Sequence, residues 1–468
     1  MKTRSLLWWL AFALLIDAPA WAQLPPAHDL GARAGGVGAG QPLPTLSADE
    51  LHFFQDGLAR FNNIDSVRGD IAGEPGIGLG PTFNSNSCRS CHAQPAPGGS
   101  SPSTDVYPHL GPNPQIALAT AHGAKNTVPS FLTPDGPVRE VRFPFAVNAD
   151  GSVSSTADGG VHALFTIAGR SDAAGCDLRQ TDFNRMQQLG NAVFRIPTPV
   201  YGAGLIENIA DATILANMAA NAALKRQLGI GGHPNTSGND GSITRFGWKA
   251  QNKSLQIFSG EAYNVEMGVT NELFPNERAN PPASCLLNPT PEDLTNFSLA
   301  FTAIASDTVA FSDFMRFLAP PLASPVGIPG NPPSASIQNG QDVFARVHCD
   351  TCHTPALQTA TSIYAAALSN KNAQLYSDLL VHNMGSALAD GVTQGAAGPN
   401  EFRSAPLWGV GQRVFFLHDG RAGPANGGLL AAIRTHASSG SEANAVIAQF
   451  NAQSNKDQQD LLNFLRSL

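Results

Sequence analysis

Two five-residue segments carry the residues best suited to chemistry: Cys88-Arg89-Ser90-Cys91-His92 and Cys349-Asp350-Thr351-Cys352-His353. Cys-x-x-Cys-His is the attachment signal for c-type haem. Two thiols must reach the two vinyl groups on one edge of a porphyrin, and two intervening residues on a tight turn set that reach. The following histidine then offers its imidazole to the iron as proximal ligand. A zinc site would need further ligands at close spacing, and a lone copy could be a thiol redox pair. Two copies in one chain point instead to two covalently bound haem c groups, held by Cys88, Cys91 and His92 and by Cys349, Cys352 and His353. The sequence leaves open whether a calcium ion accompanies them.

Two cysteines remain, Cys176 and Cys285. In an oxidising compartment two leftover cysteines can pair, so a Cys176–Cys285 disulfide is expected; the alternative is two buried free thiols.

The compartment is read from the first residues. Lys2 and Arg4 precede an apolar run from Leu6 to Ile16, and Ala20-Trp21-Ala22 has the small-x-small pattern of a signal-peptidase site. Residues 1–22 therefore read as a cleaved leader, and the mature protein as periplasmic or secreted. The apolar run is shorter than the ~20 residues that span a bilayer, and no stable membrane insertion is expected. The formal charge is −8 with no basic stripe, which argues against a nucleic-acid partner.

The elements that must position the two motifs can be placed roughly. Leu51, Phe53, Phe54, Leu58 and Phe61 fit a helix before the first motif, followed by a glycine-rich loop from Gly69 to Gly80. Ser336 to Val347 reads as a helix feeding the second. Leu461, Leu462, Phe464, Leu465 and Leu468 give the apolar face of a closing helix. Leu205 to Leu228 also looks helical. Val138 to Phe143 alternates like a strand between the turn signals Asp135-Gly136 and Asp150-Gly151. The resulting expectation is a mainly α chain: two class I cytochrome c-like domains with extensive loops and a small β insertion in the N-terminal half. The domains are expected at 23–318 and 336–468, joined by a proline-rich linker at 319–335. An internal echo supports duplication. Pro199-Val200-Tyr201-Gly202-Ala203-Gly204 follows Phe194-Arg195, and Pro406-Leu407-Trp408-Gly409-Val410-Gly411 follows Phe402-Arg403.

With these motifs in place, the sequence resembles the di-haem oxidoreductase family related to bacterial di-haem cytochrome c peroxidases. The resemblance rests on Gly78-Leu79-Gly80-Pro81, Phe83-Asn84, Pro97 to Ser100, Gly136-Pro137-Val138-Arg139-Glu140, Phe194 to Pro199, Ser377 to Leu380, Arg403 to Gly409 and His418-Asp419-Gly420-Arg421-Ala422. It implies two cytochrome c-type domains facing each other, with electrons entering at one haem and serving chemistry at the other. In the peroxidases the segment after the second haem presents a methionine; here His436 stands in that place. His436 is therefore the candidate second ligand of the C-terminal haem, which should lower its potential relative to a His/Met centre. His382, Met384 and His418 compete for that role. For the N-terminal haem no second ligand stands out among His109, His122 and His162, and an open or exchangeable position is expected.

Glu207 is a candidate catalytic carboxylate that could move a proton between peroxide oxygens, or else a solvated glutamate at a helix start. Arg195 and Arg403 suit haem propionates or catalysis. Tyr201 and Trp408 suit electron relay or aromatic packing. The leading expectation is a peroxidase-like enzyme that reduces hydrogen peroxide at the N-terminal haem, with electrons relayed through the C-terminal haem from a mono-haem cytochrome c or copper protein. An oxygenase or protein-modifying oxidase acting with dioxygen on the same scaffold, and a pure electron carrier, are the alternatives.

Overall fold

The computed structural model describes residues 25–35, 37–102, 113–298 and 306–468. The leader expected at 1–22 lies outside them, as does His109. No helix among the described residues is long and apolar enough to cross a membrane.

The helix Ala48–Phe61 begins at a capping box: the Ser47 hydroxyl accepts from the Glu50 backbone N–H, and the Glu50 carboxylate accepts from that of Ser47. Its buried face, Phe54, Gly57 and Phe61, crosses the helix Asp307–Phe317. The crossing is close because position 57 lacks a side chain. A Cβ there would lie 2.4 Å from the Ala310 carbonyl oxygen and 2.9 Å from the Phe314 Cβ. Phe54 and Phe61 then sit 5.5 Å and 4.7 Å from Phe314, ring centre to ring centre.

The C-terminal half repeats this crossing. The helix Ser334–Arg346 meets the helix Asn455–Ser467. A Cβ on Gly340 would lie 1.9 Å from the Asp460 carbonyl oxygen and 2.7 Å from the Phe464 Cβ. The second glycine of each echo segment seats on the same closing helix: a Cβ at Gly204 would meet the Arg316 carbonyl oxygen at 2.0 Å, and one at Gly411 that of Arg466 at 2.1 Å. The alignment is residue for residue. Phe54-Gln55-Asp56-Gly57 corresponds to Ile337-Gln338-Asn339-Gly340, and Phe314-Met315-Arg316-Phe317-Leu318 to Phe464-Leu465-Arg466-Ser467-Leu468. These two pairs extend the echo of the short proline–glycine segments and were legible in the sequence.

Between the N-terminal motif and its closing helix lies the β-containing segment. Glu140–Arg142 is the centre of a three-stranded antiparallel sheet, with Val141 opposite His162 on one side and Phe194 on the other. Phe145–Val147 pairs with Val153–Ala157 as a hairpin. Cys176 and Cys285 are joined by a disulfide with an S–S distance of 2.04 Å, which ties this segment to the stretch before the closing helix. Helix makes up 31% of the chain and strand 13%, so the architecture is mixed and loop-rich, and "mainly α" overstates it. The stretch from Leu205 to Leu228 is three short helices, Ala203–Glu207, Asp211–Ala219 and Ala222–Leu228. Asn221 breaks the run with a left-handed backbone.

The first described residues cross to the C-terminal half. Ala27 joins the core around Val343, Phe344 and Leu465, and Asp29 pairs with Arg466 at 2.8 Å.

Candidate functional site

Each Cys-x-x-Cys-His motif opens onto its own cavity. The N-terminal cavity encloses about 1170 Å³ of non-protein space, part of it open to solvent, and the C-terminal one about 1380 Å³. The four motif cysteines are free. Burial pushes the Cys91 and Cys349 thiols up to about 12 and Cys88 higher still. These thiols are neutral at neutral pH.

The motif histidines are set in the same way. His92 Nδ1 lies 3.0 Å from the Gly99 carbonyl oxygen and His353 Nδ1 3.0 Å from that of Tyr376. A carbonyl only accepts, so each Nδ1 donates and each Nε2 keeps its lone pair for a metal. Burial pushes both imidazoles down to about 4, against the help of these bonds. Both are therefore neutral and ligand-ready at neutral pH. Phe61 of the opening helix stands edge-on to His92 at 6.0 Å, and its counterpart Phe344 lines the other cavity. The crossing shared by the two halves thus places an aromatic ring in the wall of each cavity.

Two buried cations point to what the C-terminal cavity holds. Arg403 and Arg413 line it, and among the described residues neither pairs with a carboxylate. Burial alone pushes both down to about 10, and Arg413 Nε and Nη2 have no hydrogen-bond partner. Such groups call for an anion in the cavity, which the propionates of a haem would supply. In the N-terminal cavity Arg139 presents a buried Nε without a partner; Arg195, which also lines it, is paired with Asp390 at 2.7 Å. The residues present fit a haem in each cavity.

The sides facing the two histidines differ. In the C-terminal cavity His436 follows the helix Gly428–Thr435 and donates its Nδ1–H to the Ala432 carbonyl oxygen at 2.7 Å, which frees Nε2. Burial keeps it neutral. His382 lies close by but has both ring nitrogens against carboxylates, Glu442 at 2.8 Å and Asp378 at 3.0 Å, so no lone pair is left for iron. His418 lines the cavity stacked on Phe402 at 4.2 Å, and Met384 lines it as well.

In the N-terminal cavity no histidine other than His92 lines the wall among the described residues. His122 pairs with Glu74 at 2.8 Å elsewhere, and His162 stacks on Phe143 at 3.8 Å. The wall instead holds Glu140, Glu261 and Glu266, together with Met267 and Met315. Glu140 accepts from Arg142 Nε at 2.6 Å, and Asn84 Nδ2 donates to Glu266 at 3.0 Å. Burial works against the Glu140 charge, but Arg142 and Arg195 outweigh it and hold its carboxyl below the ordinary value. Burial, reinforced by the Glu140 charge, pushes Glu266 well above the carboxylate range. The opposite directions leave Glu140 ionised and Glu266 holding its proton at neutral pH.

Three of the sequence-based candidates lie elsewhere. Glu207 lines neither cavity. Its carboxylate accepts from the Leu255 N–H at 2.8 Å, capping the helix Leu255–Met267, and from Arg316 Nε at 2.9 Å. It is a structural residue because both oxygens are already committed. Tyr201 and Trp408 line a small third space, where the Trp408 ring would lie 2.4 Å from a Cβ on Gly202. The aromatic that does line both large cavities is Trp248, fixed by its indole N–H to the Ile196 carbonyl at 2.8 Å. Glu266 and Trp248 were not singled out from the sequence, since neither sits in a spaced motif. Glu140 stood in a quoted motif without a role.

A family model described as "Di-haem oxidoreductase, putative peroxidase" matches residues 155–468. No curated protein matches the chain. Among solved structures, hydrazine synthase from Kuenenia stuttgartiensis aligns at 17% identity and a TM-score of 0.22, over 36% of this chain and 59% of that one. A MauG-like protein associated with microbial copper homeostasis aligns at 14% identity and a TM-score of 0.34, over 96% and 95%.

Proposed function

The chain belongs to the di-haem oxidoreductase family, and on that premise we propose that it is an exported enzyme that reduces hydrogen peroxide at its N-terminal cavity. Cys88, Cys91 and His92 would hold one haem c there, and Cys349, Cys352 and His353 a second in the C-terminal cavity. His436, whose Nε2 is free, would help hold the C-terminal group. The electrostatic environment of His353 includes His436 and His382, and His382 has no lone pair to give. The haems supply the metal position and the electrons for peroxide cleavage.

The observation that carries the reading is the asymmetry of the walls: a second histidine with a free Nε2 in one cavity, a carboxylic acid–carboxylate pair in the other. Peroxide cleavage needs a proton moved from one oxygen to the other. Glu140, held ionised by Arg142, can accept a proton, and Glu266 holds one to give. Arg403 and Arg413 would neutralise the anionic edge of the C-terminal group, and Arg139 would face that of the N-terminal one. Trp248 spans the space between the cavities and provides a short path for electrons. The donor is a small one-electron carrier such as a mono-haem cytochrome c or a copper protein.

Holoprotein, supplied with such a reduced carrier, should turn over peroxide, keep both haems through acidified organic extraction, and begin at Gln23. Absence of turnover in fully loaded, reductively activated protein would overturn the reading. Met267 and Met315 in the N-terminal wall favour a second reading, a pure electron carrier. It would be selected by two low-spin haems inert to peroxide, cyanide and carbon monoxide in both redox states. A stable dioxygen complex without peroxide turnover would select an oxygenase.

A further inference from the structure

Tyr263 lines the N-terminal cavity three residues before Glu266 on the same helix, yet the peroxide reading does not use it. Its hydroxyl lies 3.2 Å from Asp65 Oδ2 and 3.2 Å from Asp307 Oδ2. A phenol has one proton and cannot donate to both. One of the two acids must therefore hold a proton of its own for both bonds to exist. Asp65 is almost wholly buried, at 4% exposure, whereas the Asp307 side chain is 38% exposed and its other oxygen accepts from Arg60 at 2.7 Å. Space for the Asp65 carboxylate exists because position 76 is glycine: a Cβ there would lie 1.8 Å from Asp65 Oδ1. The groups facing Asp65 are acidic, namely Asp307, Glu292 and Glu74 besides the Tyr263 hydroxyl, while Asp293 and Cys88 face Tyr263. Burial, with Asp307 next, pushes Asp65 up to about 7.

We propose that Asp307, Tyr263 and Asp65 form a proton wire that carries one proton from solvent to the buried side of the N-terminal cavity as that cavity takes up one electron. The inference rests on the reading of this cavity as a redox centre. The wire has two bonded states. In one, protonated Asp307 donates to the phenol oxygen and the phenol donates to the Asp65 carboxylate. In the other, protonated Asp65 donates to the phenol and the phenol donates to the Asp307 carboxylate. Passing between them moves two protons in concert. One O–H bond breaks on Asp307 and one forms on Asp65, with the phenol left neutral. Burial and the surrounding carboxylates push the Tyr263 hydroxyl well above its ordinary value, which disfavours a lasting phenolate and favours the concerted path. The electron comes from the external one-electron donor and the proton from water, so the added negative charge is compensated at Asp65.

The test uses full-length holoprotein and reads the N-terminal haem directly, by spectroelectrochemical titration across pH and by stopped-flow reduction. The wild-type potential should fall as pH rises above about 7, because reduction there draws a proton onto Asp65. Asp65→Asn should flatten that slope while haem content is kept. Tyr263→Phe should keep the slope at equilibrium but slow reduction, by up to roughly 10²-fold, and remove its solvent deuterium isotope effect. Should Asp65→Asn fail to load haem, Asp307→Asn reports on the entry step through the same isotope effect. An unchanged slope in Asp65→Asn, or unchanged rate and isotope effect in Tyr263→Phe or Asp307→Asn, would overturn the wire. Because none of these readouts needs peroxide, a protein with the slope but no turnover would sink the peroxidase reading and leave the wire standing.

Discussion

In the N-terminal half, Gly57 lets the opening helix lie against the backbone of Ala310; in the C-terminal half, Gly340 does the same against Asp460. Phe61 and Phe344 follow four residues later in each case and line the two cavities. Up to this point the two halves use one solution, and backbone contact at a glycine is its physical core. They part on the side facing the histidine. One cavity presents His436, the other Glu140 and Glu266. The placement of the motif cysteines and histidines belongs to the shared scaffold, whereas the walls facing them differ through a few side chains brought in from other segments.

The most severe way to break the comparison is to remove attachment from one half. Cys349→Ala with Cys352→Ala should lower the haem count from two to one while leaving the N-terminal haem in place, read by haemochrome spectra of the purified protein. Cys88→Ala with Cys91→Ala should do the converse.

Next in size is loss of the acid pair. Glu266→Gln should lower peroxide turnover by about 10²–10⁴-fold with both haems retained. The sign with pH follows from burial and the Glu140 charge, which raise the Glu266 carboxyl well above its ordinary value. Its proton is present at neutral pH and is lost as pH climbs through that raised value, so wild-type activity should have an alkaline limb that the glutamine variant lacks. An unaltered profile would move the proton shuttle to another group.

His436→Ala should convert the C-terminal haem from low-spin to high-spin and leave the N-terminal spectrum alone; EPR separates the two. Unchanged spectra would transfer the ligand role to His418 or Met384.

Smaller effects test the shared scaffold. Gly57→Ala and Gly340→Ala should each cost about 1–3 kcal/mol through overpacking, with the larger loss at Gly340, where the clash is tighter. Thermal or denaturant unfolding of the holoprotein measures it. Glu207→Gln weakens a bond to Arg316 and a helix cap, at about 1.5–3 kcal/mol, and should leave the pH profile of turnover unchanged. A shifted profile would restore Glu207 to the reaction.

The outcome for Glu207 shows where sequence reasoning stops. It follows the echo segment, and that position suggested a role. The echo in fact encodes the seat of Gly204 on Arg316, and the carboxylate nearby serves that joint. His436 illustrates the opposite case. The resemblance of its segment to that of the di-haem peroxidases points to it, and the structure sets it in the same cavity as His353.

What the sequence determined by itself are the features written in short stretches of chain: the two attachment motifs, the opening and closing helices of the C-terminal half, and the echo between halves. Spacing over a few residues fixes these, because a helical turn or the presentation of two thiols and an imidazole on one turn depends on neighbours in the chain. Only the tertiary structure decided which acids meet in the N-terminal cavity, that Trp248 lies between the two, and that Tyr263 bridges Asp65 and Asp307. Asp65 and Tyr263 are 198 residues apart, and no periodicity reaches that far. Their shifted protonation comes from burial and from charges on distant segments, and it exists only once the chain is packed.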